Sequence, residues 1–376
     1  MKAMIVKEFR ELVRDHRTLA MLIVMPLVLL VIFGYAANFY VSEVKAAVVG
    51  PQADQFASAL PDFFDVKVSA SGDGRERAEE LLQDNVVDVA FVTGSTPVVA
   101  LVDGSDLFAA QSIVGVLGRA EDQVSTEVLY NPELKTSWVM VPAIIGLILT
   151  FIGTIITAIG LVREREAGTL EQLAVMPIKP SSVILGKIAP YFLLAALDMV
   201  IVTTIGVLLF DVPFNGNPAL FALGAGLFLF VTLGIGVFIS TISQTTGQAI
   251  QVAFMVMLPQ ILLSGMIFPL DAMAAGVRWI GYLLPLSYFN VISRGIMLRG
   301  ADLSSLWWAF LILTVMALVV FTGATLRFRR DLAPGASRGH RSRSADGPSG
   351  SAGSGLAVTS GGASGAPAPS ASGGST

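Results

Sequence analysis

An aspartate stands in the middle of a long apolar run. Asp198 lies in LLAALDMVIVTT, with no cationic residue in any comparable run to pair with it. A carboxylate at the centre of a bilayer costs about 2.5–3.5 kcal/mol on insertion scales. Asp198 is therefore expected to face the interior of a helix bundle, a water-filled cavity or a subunit interface. Protonated or bonded to a hydroxyl, it would hold helices together; ionised, it would take a proton or a cationic, amphiphilic cargo. Gln244, Gln248 and Gln251 follow at i, i+4 and i+7, the spacing of one helix face. They would line a polar path or hydrogen-bond between helices, as Gln260 would too. A third set is LVREREAGTLEQLAVMPI (161–178), where Arg163, Glu164, Arg165, Glu166 and Glu171 come directly after an apolar run and are followed by Pro177. Charges so placed either anchor two spans at the membrane surface or present a polar helix to a soluble partner.

Catalytic chemistry finds no support. Cysteine is absent, which excludes thiol and disulfide chemistry, and the only histidines are His16 and His340, too few for a histidine-rich metal site. The single Gly-Lys pair, Gly186-Lys187, is followed by Ile188, and Ser181 stands where a phosphate-binding loop needs its first glycine. GAGLFL (224–229) lacks the third glycine of a dinucleotide fingerprint. No catalytic, nucleotide-binding or metal residue is assigned, no cofactor is expected on this chain, and any energy must come from another one.

The elements that position these residues are membrane spans. Hydrophobic residues make up 54% of the 376 and charged residues 14%, against about 25% charged in a soluble domain. Six runs are long enough to cross a hydrocarbon core about 30 Å thick: 18–39, 138–162, 183–210, 218–242, 247–270 and 305–326. The first is longer than a signal-peptide core and lacks a clear cleavage site, so it reads as a retained helix. Lys2, Lys7, Arg10, Arg14 and Arg17 precede it; Arg163, Arg165, Lys179 and Lys187 flank the second loop; Arg327, Arg329 and Arg330 follow the last span. By the positive-inside rule both termini are cytoplasmic, with Arg278, Arg294 and Arg299 in 269–304 as an outer-side exception.

Segment 40–137 then lies outside. KAAVVG, FDVKVSA, VVDVAFVTG and VVALVDG alternate like strands, while RERAEELLQD and DLFAAQSIVGVLGRAEDQVSTEVL read as helices, which predicts a small α/β domain. From 41 to 137 it carries sixteen acidic and six basic residues; contact with water accounts for this, and cation attraction is the sharper alternative. Residues 1–17 read as an amphipathic interfacial helix. Trp279, Tyr282, Tyr288, Trp307 and Trp308 suit the outer interface. Residues 333–376 are rich in Gly, Ser, Ala and Pro and read as a disordered tail.

EREAGTLEQLAVMPI resembles the E-x-E-x-G-T-x-E-x-L-x-x-x-P signature of ABC-2 type permeases, the membrane subunits of bacterial ATP-binding-cassette exporters. KEFRELVRDHRTLAMLIVMPLVLLVIFGYA (7–36) is similar to the family's connector helix and first span. LVDGSD (101–106) resembles a recurring outer-domain motif of its long-domain members. LLSGMIFPL (262–270) with LLPLSYFNVISRGIMLRG (283–300) resembles the end of span five and the outer re-entrant hairpin, which 271–304 would form. The resemblance covers about 1–332; Ala274, where many relatives have Pro, departs from it.

The resemblance implies an α-helical polytopic fold of six transmembrane helices, with an α/β extracytoplasmic domain inserted between helices 1 and 2. It implies that 163–182 is a cytoplasmic coupling helix docking on a separate cassette ATPase, with Glu164, Glu166, Gly168, Thr169, Glu171 and Pro177 in that role. ATP and Mg would be used by that ATPase, present in two copies. A second permease, identical (a homodimer) or homologous, would complete the path in the bacterial cytoplasmic membrane. Asp198, Gln244, Gln248 and Gln251 are the candidate path residues, and Pro285, Tyr288 and Arg294 the outer gate. The expected activity is efflux of a hydrophobic or amphiphilic, drug-like compound. Alternatives are a phage-infection-protein-like scaffold or an extracellular-ligand receptor, both without an ATPase, and an ion-driven secondary transporter centred on Asp198.

Overall fold

The computed structural model describes residues 41, 43–119, 123–167 and 180–331. The connector 1–17, the first expected span 18–39, the positions Gly168, Thr169, Glu171 and Pro177, and the tail 333–376 lie outside the described residues.

The outer segment is a three-layer α/β domain. Strands β1 (Val44–Val49), β2 (Phe64–Ala70), β3 (Val89–Val92), β4 (Val98–Asp103) and β5 (Val124–Leu129) form one sheet in the order β2-β1-β3-β4-β5. All pairs are parallel except β3–β4. Period-two alternation sorts the side chains between two faces. Val44, Ala46, Val48, Val89, Phe91, Ala100 and Val102 pack with α1 (Ala53–Ala59) and α3 (Leu107–Leu117), while Ala47, Val49, Ala90 and Leu101 pack on Ala78, Leu81 and Leu82 of α2 (Arg75–Gln83). Phe91 is fully buried, with the rings of Phe56 and Phe64 at 5.4 and 5.3 Å.

One expectation for this domain is corrected. The stretch 106–129 is not one helix. It splits after Leu117, and VSTEVL becomes β5, paired in register with β4 from Val98↔Val124 to Asp103↔Leu129. Gly118 caps the helix, and the β-branched residues beyond it gain more from the open edge of β4 than from another helical turn.

Half-buried Asp88, at the start of β3, accepts the Lys45 backbone N–H at 2.8 Å. Burial outweighs that hydrogen bond, and the nearby Asp106 and Asp103 add to it, so its carboxyl is pushed up to about 7. A raised carboxyl pKa means that the folded state binds more protons than the unfolded one. Asp88's contribution is then present at low pH and lost as pH rises from about 4 to about 7. Asp88→Asn is expected to flatten this part of the pH dependence of unfolding. Denaturation of parent and variant in parallel across that window checks it, and identical slopes would exclude Asp88 as the source.

The membrane part holds five candidate spans among the described residues. The first is a continuous helical rod: α4 (Thr136–Phe151), a π turn (Ile152–Ile156) and α5 (Thr157–Glu166). Then come α6 (Pro180–Phe210), α7 (Pro218–Ile242), α8 (Thr246–Leu263) and α11 (Leu303–Asp331). The rod and α7 each have 61% of their most apolar window buried, against 17% for α6 and 28% for α11, so the rod and α7 form the centre. Two glycines permit their approach. A Cβ on Gly236 would sit 2.7 Å from the Gly153 carbonyl oxygen and 2.8 Å from that of Thr154, and one on Gly153 would meet the Thr232 side chain. In lipid, packing of this closeness, rather than water exclusion, holds helices together.

Three differences from expectation bear on the candidate residues. The helical rod runs past 162 to Glu166, so Arg163–Glu166 are the last turn of a span and not part of a separate polar helix. Arg163 and Arg165 there suit the negative end of the helix dipole. Helix α8 stops at Leu263 instead of continuing to 270, because Gly265 turns the chain with φ +79°. Gln244 lies ahead of the N-cap Thr245 and is not on α8, so the three-glutamine face does not form. Between α8 and α11 the chain folds as a short 3-10 turn (Leu270–Ala272), α9 (Ala275–Gly281), α10 (Pro285–Arg294) and a second π turn (Gly295–Arg299).

Candidate functional site

At the expected cytoplasmic end, the last turn of α5 grips the corner between α7 and α8. Arg165 Nη1 donates to the carbonyls of Thr241 and Ser243, at 3.4 and 3.1 Å. Glu166 accepts from the Thr246 backbone N–H and from its hydroxyl, both at 2.8 Å. A cation therefore sits on the carbonyl end of α7 and a carboxylate on the amide end of α8, the charge placement that both helix dipoles favour. Thr245 adds the N-cap of α8, accepting from the Gln248 backbone N–H at 3.3 Å. Of the residues assigned to coupling, Glu164 is half-buried on the same turn.

The candidate path residues are not gathered into one site. Asp198 is half-buried on α6, at the border between its buried stripe (Ala195, Met199) and its exposed one (Leu194, Leu197, Ile201), and Oδ2 has no hydrogen-bond partner. The Gln248 side chain accepts the Gln244 backbone N–H at 3.1 Å and so serves the start of α8. Gln251 Oε1 and Gln260 Oε1 are buried without partners. Helices α6 and α8 share α4, the first π turn and α7 as neighbours, but α6 otherwise packs on α11 and α8 on α5, α9 and α10, so Asp198 and the glutamines of α8 lie on helices that do not pack extensively on one another. Among the described residues no group of three or more His, Asp or Glu is placed to hold a metal.

At the expected outer end, helix carbonyls are capped one after another. Pro285 opens α10 at its first turn, where its missing N–H costs nothing. The Tyr288 hydroxyl donates to Tyr282 O at 2.6 Å, and its ring meets Trp308 edge-on at 6.1 Å. Ser287 donates to Gly281 O at 2.6 Å. The end of α8 receives Asn290 Nδ2 on Ser264 O at 3.2 Å and Arg294 Nη2 on Gly265 O at 3.4 Å. Arg278 donates to the carbonyls of Asp271 and Met273. The three outer arginines are thus spent on backbone carbonyls and, for Arg299, on a buried carboxylate. That use explains why they run against the positive-inside trend.

Arg299 is the residue that sequence reasoning missed. Its Nη1 donates to Asn85 Oδ1 at 2.6 Å, Asp103 Oδ2 at 3.3 Å and Ser105 Oγ at 3.4 Å. The side chains of Arg299 and Asp103 are only 5% and 2% exposed. The LVDGSD motif acquires a physical role here. Asp103 holds Arg299 and accepts the Ser105 N–H at 2.8 Å, while Asp106 caps α3 through the N–H groups of Phe108 and Ala109. The outer position of Arg299 was the available signal; its partners are far away in sequence.

Comparison with known proteins agrees with this architecture. The family described as "ABC-2 family transporter protein" matches residues 16–326. The "Probable multidrug ABC transporter permease YbhS" of Escherichia coli is 30% identical over 369 residues, covering 88% of this chain and 97% of its own length. The "Probable multidrug ABC transporter permease YbhR" of the same organism is 28% identical over 86% of this chain and 96% of its own. The "Inner membrane transport permease YhhJ" is 36% identical over 56% of each.

Proposed function

The chain belongs to the ABC-2 family of transporter proteins and is a multi-pass membrane subunit of an ABC transporter, and from that premise we propose that it is driven by a separate cassette ATPase docked beneath 163–182. The observation that carries the proposal is the grip of Arg165 and Glu166 on the α7–α8 corner. A push delivered next to Glu166 reaches the rod, α7 and α8 together, because one helical turn holds all three. In this reading Glu164, Glu166, Gly168, Thr169, Glu171 and Pro177 receive the ATPase, and ATP binding there shifts the bundle between inward-open and outward-open states. ATP and Mg are used by the ATPase, and this chain binds neither.

The transporter contains two ATPase copies and two permeases, with both termini of this chain cytoplasmic. The path runs between the permeases, with half-buried Asp198 as its first candidate lining residue and Pro285, Tyr288 and Arg294 at its outer gate. The cargo is a hydrophobic or amphiphilic compound moved outward, a reading supported by the multidrug names of YbhS and YbhR.

Affinity purification from native membranes in mild detergent tests the coupling. A cassette ATPase is expected to accompany the parent protein and to be lost from the Glu164→Lys/Glu171→Lys variant. An ATPase retained by that variant, or absent from both samples, would leave 163–177 as a membrane anchor and favour a scaffold or receptor.

A further inference from the structure

We infer that Arg299 is a positioning residue that fastens the outer α/β domain to the outer hairpin, so that the domain, α10 and the start of α11 move as one body. The inference rests on the reading of α10 as part of the outer gate. The fastening centres on the π turn Gly295–Arg299. A helix end leaves its last carbonyls without intrahelical partners, and here outside groups supply them from two directions. The loop between α6 and α7 provides the Asn215 backbone N–H to Met297 O at 3.0 Å and Asn215 Nδ2 to Leu298 O at 2.8 Å. The outer domain provides Gln83 Nε2, which lies 3.3 Å from Arg299 O and 3.4 Å from Gly300 O.

Arg299 then reaches back into the domain to Asn85, Asp103 and Ser105. A further contact lies within the first turn of α11, where the Ser305 hydroxyl donates to Asp84 Oδ1 at 2.5 Å. A buried ion pair cannot be opened without stranding a charge. The joint is therefore a fixed fastening, not a sliding contact. The domain is the handle of the hairpin, and α10 cannot tilt without carrying the domain with it.

All three side-chain contacts of Arg299 use Nη1, while Nε is buried without a partner. A lysine ammonium keeps the charge and offers three donors at one point, ending about one bond short of Nη1. This gives the joint a conservative variant that separates positioning from simple folding.

The absence of native cysteine makes the test clean. Spin labels at Glu76→Cys and Ser304→Cys, both exposed positions, report the distance between domain and hairpin in the full chain in nanodiscs. One narrow distance peak is expected in the parent, unchanged when the co-purified ATPase is trapped with nucleotide. The peak should be lost in Arg299→Ala and kept in Arg299→Lys. In a second arm, Asp84→Cys/Ser305→Cys is closed with a short thiol-reactive bridge, and the cross-linked transporter is expected to hydrolyse ATP at the uncross-linked rate.

The inference is overturned if Arg299→Ala keeps the single peak, if Arg299→Lys spreads as alanine does, if nucleotide moves the parent peak, or if cross-linking stops ATP hydrolysis. Should Arg299→Ala fail to fold, the cross-link decides. Should no ATPase accompany the chain, the coupling proposal fails, and the nucleotide-free peaks still judge the joint.

Discussion

Gly236→Ala is expected to loosen the centre of the membrane bundle with a single methyl group. The added Cβ would sit within 2.8 Å of two carbonyl oxygens, those of Gly153 and Thr154, and 2.9 Å from Thr157 Cβ. Carbonyls inside a helix cannot turn aside as a flexible side chain would. Either α7 must move away from the π turn or the turn must lose its geometry. Overpacking of a tight core costs about 1–3 kcal/mol, and backbone obstacles on one side put this case toward the upper end. The measurement is the thermal melting point in detergent of Gly236→Ala beside Gly276→Ala. A Cβ at Gly276 meets nothing within 4 Å, so that control should melt like the parent. A marked drop for Gly236→Ala alone is expected; equal melting of the two variants would show that α7 and the rod are not in contact at this point.

Asp103→Ala is expected to cost still more, about 3–5 kcal/mol, the range for breaking one side of a buried ion pair. The cost lies in the survivor. The Arg299 guanidinium keeps its charge, with Asn85 and Ser105 as its only remaining side-chain acceptors among the described residues, and Ser105 N–H loses its acceptor as well. Removing both charges tells these effects apart. Asp103→Leu/Arg299→Met leaves no stranded cation, so most of the loss should be recovered, since apolar replacement of a whole buried pair is often near neutral. Equilibrium unfolding of the three proteins, followed by the protection of outer-domain amides against hydrogen exchange, measures both steps. A loss below about 1 kcal/mol for Asp103→Ala, the range for an exposed pair, would mean that Arg299 reaches water.

Local patterning made part of this molecule readable in advance. Alternation in KAAVVG and FDVKVSA coincides with β1 and β2, and the apolar run 218–242 with α7, because each element carries its own period and its own turn residues. Strand β5 was hidden because RAEDQVSTEVL has no turn signal, and its strand character comes from pairing with β4. The last turn of α5 was misread because charge suggested a break where the backbone has none; Arg163–Glu166 continue a helix whose apolar part ends at Val162. Gln244 looked helical by spacing, but Thr245 starts α8 after it. Arg299, Asp103 and Asn85 were beyond reach for a different reason. Their association depends on how an inserted domain settles on a hairpin far along the chain, and no local period records that. That Asp198 and the glutamines sit on helices without extensive direct packing is likewise a matter of tertiary arrangement.

The π turn at Ile152–Ile156 also sets a phase. Each residue of an α-helix advances the direction of its side chain by about 100°, and a π turn accommodates one residue more than the surrounding helix would. Every side chain beyond Ile156 therefore points about 100° away from where an unbroken helix leaving α4 would aim it. With that offset, Arg165 and Glu166 face the α7–α8 corner; without it they would point past it. One residue in the middle of the membrane thus indexes the charges at its edge, like a key cut along one shaft.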